Sequence, residues 1–148
     1  MTTPEPDGVL AEQLLRLTRR IHRSQQRRLE AAGVVITPAQ SRLLRTLAHD
    51  ERAPRMADLA ARLEVVPRAV TSLVDGLEAA GRVRRAPDPD NRRVIRIELT
   101  DTGRATLKAL RGARRAAAED ILEPLTTEQR AEFGTLLSTL VDGPGRPC

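Results

Sequence analysis

Between Val66 and Leu99 the chain gathers side chains whose chemistry suits a polyanion. Arg68, Thr71, Ser72 and Asp75 share one side of a stretch whose other side carries Ala69, Val70, Leu73, Val74 and Leu77, an apolar stripe at helical spacing. Guanidinium and hydroxyl groups on such a face are the donors and acceptors that read base edges, and arginine pairs bidentately with guanine and with phosphate. From Arg82 to Arg96 six Arg stand against two Asp, a local charge of +4.

Two elements must hold these groups. Pro67 suits the first position of a helix and Gly81 a left-handed C-cap. Just upstream, Met56–Leu63 reads as a short helix with Leu59, Ala60 and Leu63 on one face, and the link Glu64-Val65-Val66 has the length of the turn in a helix-turn-helix. The second helix of that motif enters the major groove with its N-terminal side chains at the base edges, so Arg68, Thr71 and Ser72 are the expected reading residues. After Gly81 the period changes. Val83-Arg84-Arg85 and Val94–Leu99 flank a Pro, Asp and Asn turn at Pro87–Arg93, and Ile95, Ile97 and Leu99 alternate with Arg96 and Glu98, which predicts a hairpin with one buried face. A basic hairpin beside the recognition helix is a wing within reach of the minor groove, with Arg84, Arg85 and Arg92 expected along the phosphates.

The run from Ala69 through Leu77-Glu78-x-x-Gly81 to Asn91-Arg92-Arg93 and Leu99-Thr100-x-x-Gly103 resembles the signature of the MarR family of winged-helix regulators. Gly33–Gln40 and Leu59-Ala60 extend the likeness to roughly residues 9 to 141. The resemblance implies a symmetric homodimer on palindromic double-stranded DNA, often a repressor released by a small phenolic or other anionic ligand. It also implies that Arg93 enters the minor groove, braced by an Asp two residues earlier. Here that residue is Asn91, which carries no charge, and the nearest carboxylate is Asp90. Arg82 stands where the family usually has a large apolar residue, and Ser72 where many members have a longer polar one.

The fold expected is mainly α with a small β-hairpin wing, a winged helix-turn-helix flanked by terminal dimerisation helices. Residues 37–100 form the DNA-binding region, 9–32 and 101–141 the dimerisation helices, and 1–8 and 142–148 loose tails. Leu10, Leu14, Leu17 and Ile21 mark an amphipathic helix from about Val9 to Ala32 that stops at Gly33. Thr37-Pro38-Ala39-Gln40 carries the signals of a capping box opening a helix with Leu43, Leu44 and Leu47 inside. His49–Arg55 is a loop, since Pro54 forbids continuing the helix. Asp101–Glu123 reads as a long polar helix; Pro124 interrupts it, and Thr126-x-x-Gln129 opens a last helix with Phe133, Leu136, Leu137 and Leu140 on one stripe. That terminal helices interlock in a dimer is what the family resemblance implies.

Composition narrows the classes. The chain of 148 residues has a net charge of +5 and 25 Lys plus Arg, of which the only Lys is Lys108. A GC-rich genome produces the same Arg enrichment, so the clustering in the wing carries the inference and the total does not. There is no glycine-rich phosphate loop, no Cys/His cluster at metal-ligand spacing and no nucleophile motif beside His22 or His49. No enzyme, metal or cofactor is expected. The N-terminus lacks the charged start and apolar run of a signal peptide and no apolar run is long enough to span a bilayer; a cytoplasmic protein without membrane contact is expected. Cys148, alone and terminal, forms no intrachain disulfide. Three readings stay open: a ligand-responsive regulator at one operator, an architectural DNA binder without effector, and a winged-helix module docking an acidic protein.

Overall fold

In the computed structural model, which describes residues 6–143, helix starts and stops follow local chemistry. The order is α1 (Pro6–Ala31), α2 (Pro38–Ala48), α3 (Met56–Leu63), α4 (Pro67–Ala79), β1 (Val83–Pro87), β2 (Ile95–Leu99), α5 (Asp101–Leu122) and α6 (Thr127–Asp142). The Thr37 hydroxyl accepts from the Gln40 amide at 3.2 Å while the Gln40 side chain accepts from the Thr37 amide at 3.1 Å, and Thr126 and Gln129 repeat the arrangement at α6. Each box satisfies donors that a helix start leaves open. α1 begins at Pro6, inside the expected loose tail 1–8, because proline is preorganised for a first helical position. Asp142 likewise belongs to α6. Gly143 caps that helix, and residues 144–148 of the expected tail, with Cys148, lie outside the described residues.

The chain separates into two units. The first is residues 25–113. Its core joins Leu43, Leu44 and Leu47 of α2, Leu59 and Leu63 of α3, Val70, Val74 and Leu77 of α4, Val83 and Ile97 of the hairpin, and Leu107 and Leu110 of α5. α2, α3 and α4 pack on one another, and β2 lies against α2 and α3. In the α3–α4 turn Glu64 is left-handed, with φ of +55°, and the Val65 amide reaches the Ala60 carbonyl at 3.1 Å.

β1 and β2 are antiparallel with Val83 opposite Leu99, Arg85 opposite Ile97 and Pro87 opposite Ile95. Ile97 is fully buried as expected, whereas Ile95 is 41% exposed. The hairpin outgrows the helices that cover its base, so alternation holds only near the core. β2 gains a further partner: the Ile97 amide donates to the Pro54 carbonyl at 2.9 Å, and Arg55 bridges Arg96. The end of the 49–55 loop thus covers an edge that would otherwise stay open.

The second unit comprises, among the described residues, 6–24 and 114–143. Ala117 is buried, but α6 has no buried residue, and Leu10, Leu14, Leu136 and Leu140 are exposed. Leu17, Ile121, Leu125, Phe133 and Leu136 line a groove of about 410 Å³. Among the described residues, no helix is long and apolar enough to cross a membrane.

One junction in the first unit sets where α4 ends and α5 begins. Gly81 adopts φ of +71°, and the Arg82 amide reaches back to the Leu77 carbonyl at 2.9 Å, a left-handed helix stop. The Thr100 hydroxyl donates to the Gly81 carbonyl at 2.5 Å and accepts from the Gly103 amide at 3.0 Å. A Cβ on Gly103 would collide with the Arg82 carbonyl. Gly103→Ala should therefore destabilise the protein by about 1–3 kcal/mol despite alanine's helix preference, because no rotamer relieves a clash with backbone. Urea unfolding followed by circular dichroism checks this, and a gain in stability would contradict it.

Candidate nucleic-acid interface

α4 buries Val70, Val74 and Leu77 completely, and its period of about 3.6 residues then turns the opposite face outward. Arg68, Thr71 and Ser72 are all exposed there. The Thr71 hydroxyl donates to the Pro67 carbonyl at 3.2 Å and the Ser72 hydroxyl to the Arg68 carbonyl at 3.3 Å. Both oxygens thereby keep lone pairs facing solvent, so in this geometry they are acceptors. No ion pair holds the Arg68 guanidinium among the described residues. Val66, the N-cap of α4, is 67% exposed. Periodicity could not single it out, since a residue just before a helix belongs to neither face.

The wing arginines fall into two groups. Arg85 donates to Asp75 at 2.6 Å and to Glu78 at 2.7 Å, and its amide reaches Glu78 at 3.1 Å. The hydrogen bond to Asp75, then that to Glu78, raises its pKa. Asp75 lies on the outward face of α4, so this pairing cancels a charge that would repel a polyanion. Arg84 pairs across the strands with Glu98 at 2.8 Å. Arg92 and Arg93 are exposed, and among the described residues no partner holds either guanidinium. Arg82 donates to the Val35 carbonyl at 2.8 Å, tying the start of the wing to the segment before α2.

Asn91 accepts from the Arg93 amide at 3.1 Å, so it shapes the loop backbone. Asp90 sits 3.5 Å from Arg52. The side chain that organises the wing tip is Asp88, 3% exposed. Its carboxylate accepts from Arg96, from Arg52 at 3.0 Å, and from the Asp90 and Asn91 amides at 2.8 and 3.3 Å. Arg96 also donates to the Ala53 carbonyl at 2.6 Å. Strand alternation places Arg96 on the solvent side, so the sequence alone does not mark it as the partner of a buried carboxylate. Arg52 lies 36 residues from Asp88, and no local pattern joins them.

Among the described residues no group of three or more His, Cys, Asp or Glu could hold a metal ion. His22 is exposed on α1 and His49 caps the C-terminus of α2.

Residues 36–95 match the model of the MarR family. The chain is 32% identical over 112 residues to the HTH-type transcriptional repressor MdtR of Bacillus subtilis (strain 168), covering 76% of this chain and 70% of MdtR. The crystal structure of YusO from Bacillus subtilis superposes with a TM-score of 0.79 at 26% identity, covering 97% of this chain and 99% of YusO. A point mutant of S. aureus MepR, solved bound to an oligodeoxyribonucleotide, has the same fold with a TM-score of 0.75 at 20% identity, covering 90% of this chain and 96% of MepR.

The Asp88 geometry has a measurable acid signature. Hydrogen bonding from Arg96, then from the Asp90 amide, with a further contribution from Arg52, lowers its pKa from 3.8 to about 2. A carboxyl depressed on folding stabilises the native state above its unfolded value and stops doing so as pH falls through its folded value. The gap in melting temperature between the protein and Asp88→Asn should be full at about pH 6, shrink below about pH 4 and largely vanish near pH 2. A gap independent of pH would contradict this.

Proposed function

The chain belongs to the MarR family of winged-helix transcription regulators, and from that premise we propose that it binds a palindromic operator as a homodimer and represses a nearby promoter until a small molecule relieves it. The carrying observation is that the outward face of α4 presents Arg68, Thr71 and Ser72 without charged partners, beside a wing that keeps Arg92 and Arg93 free among the described residues. In this reading α4 lies in the major groove, with Arg68 on a guanine edge and the exposed Val66 offering methyl surface to thymine. Arg93 enters the minor groove on the loop that Asn91 shapes, and Arg92 lies along phosphate. Arg84 and Arg85 add positive potential, but each must share its guanidinium with Glu98 or with Asp75 and Glu78. Regulators of this family are generally not enzymes, and no catalytic role is assigned to any residue. With Phe133 the only aromatic residue, an effector would pack mainly on aliphatic and guanidinium surface.

Dimerisation has independent physical support. Leu136 and Leu140 are 64% and 71% exposed, and Leu10 and Leu14 are exposed in the same unit, a concentration of apolar surface that soluble monomers avoid. Changing Leu136 and Leu140 together to Glu should convert a dimer to a monomer in sedimentation velocity. Operator binding should disappear with it, because two reading heads are needed to span half-sites. A wild-type monomer at micromolar concentration would contradict the proposal.

Binding measured against salt on operator and random duplexes tests the interface. Arg68→Ala should cost about 1–3 kcal/mol on the operator and relax one base position in each half-site. Arg92→Ala should instead flatten the log K against log[salt] slope by about 0.9 for each phosphate it no longer neutralises. Arg93→Ala should weaken sites with A·T-rich flanks most, since their narrow minor groove attracts guanidinium. Equal weakening on operator and random DNA for Arg68→Ala would move that residue from base reading to phosphate.

A further inference from the structure

A two-stranded hairpin is marginal on its own, and the outer half of this one has no apolar cover: Ile95, Arg92 and Arg93 are all exposed. Yet a hairpin that inserts an arginine into a groove must hold one angle relative to the recognition helix. Something polar has to fix it.

We propose that Asp88, Arg96 and Arg52 form a clamp that locks the wing tip to the loop between α2 and α3, and so are the positioning residues that aim Arg92 and Arg93. The inference rests on reading the wing as a DNA-gripping element. Burying a carboxylate is costly unless it is paired and fully hydrogen-bonded, and Asp88 meets that condition with donors from three directions. Arg96 comes from the opposite strand, Arg52 from the 49–55 loop, and the Asp90 and Asn91 amides from the turn itself. The Asn91 amide stands immediately before Arg92, and the Arg93 amide is held by the Asn91 side chain, so the backbone carrying both free arginines is pinned at its root. From there the polar connection continues. Arg96 donates to Ala53 and the Ile97 amide to Pro54. The Asp58 side chain then caps the Arg55 amide at 3.0 Å, where α3 begins, and α3 packs on α4. The clamp therefore refers the wing to the reading head, in a chain whose Asn91 supplies no charged brace.

Charge and positioning predict opposite signs. Removing the Asp88 carboxylate makes the surface more positive, which by itself strengthens DNA binding; release of the clamp weakens it. The test compares the full-length protein with Asp88→Ala and Arg52→Gln by amide hydrogen exchange over residues 88–94 without DNA. It adds salt-titrated binding to a duplex carrying the protein's footprinted site and to a random duplex. Asp88→Ala should speed exchange at the Asp90 and Asn91 amides about tenfold or more, weaken the specific site about tenfold and flatten its salt slope, with little change on random DNA. The Arg52 side chain is 64% exposed, so Arg52→Gln carries the exchange test if Asp88→Ala fails to fold. It should speed the same amides by a smaller factor, and Arg52→Lys should restore part of the protection. Unchanged exchange in either variant, or Asp88→Ala binding the specific site as tightly as wild type or tighter, would overturn the clamp. If the wild-type protein shows no specific site while exchange still accelerates, the DNA reading fails and the tether itself stands.

Discussion

The complete burial of Val70, Val74 and Leu77 on one side of α4 governs everything outward of it. Each such side chain is worth about 1.5–3 kcal/mol when removed from water, and together they leave the helix no freedom to rotate. Arg68, Thr71 and Ser72 contribute nothing to that burial, so their identities are free to serve recognition. The same constraint explains the junction at the end of the helix. With α4 fixed in rotation, the chain must leave through left-handed Gly81 and start α5 close enough that Gly103 meets the Arg82 carbonyl.

Electrostatics divides the arginines by task. Exposed ion pairs contribute little stability, so the Arg85 contacts with Asp75 and Glu78 matter chiefly for what they offset: one guanidinium neutralises half of the negative charge that these two carboxylates place on or beside the face of α4. Arg96 and Arg52 are committed to the buried Asp88. What remains outward and unpaired at the reading head and wing tip, among the described residues, is Arg68, Arg92 and Arg93, a far smaller set than the composition advertises.

Much of this was legible because it is local. The capping boxes at Thr37 and Thr126, the proline opening α4 and the glycine closing it are short-range signals, and each appears where its chemistry requires. The stripe Leu136 and Leu140 was equally legible as amphipathic, although a single chain offers α6 nothing that buries it. What stayed hidden depends on distance in sequence. Asp88 reads as a turn former, and only the fold brings Arg52 and Arg96 to it. Arg85 reads as an unpaired wing cation, and only the fold shows that Asp75 and Glu78, on a preceding element, share its guanidinium. Ile95 follows strand alternation in sequence but outruns the core that gives alternation its meaning.

The central claim is that one fixed helix face and one aimed wing, doubled by a twofold axis, read a specific DNA site. Quantitative footprinting of the wild-type protein across the intergenic DNA flanking its own gene measures this directly. The account predicts one protected tract with two inverted half-sites centred about one helical turn apart, its affinity falling steeply with salt and exceeding that for random DNA by about a thousandfold or more. Uniform protection along the fragment, or none at any salt concentration, would contradict it.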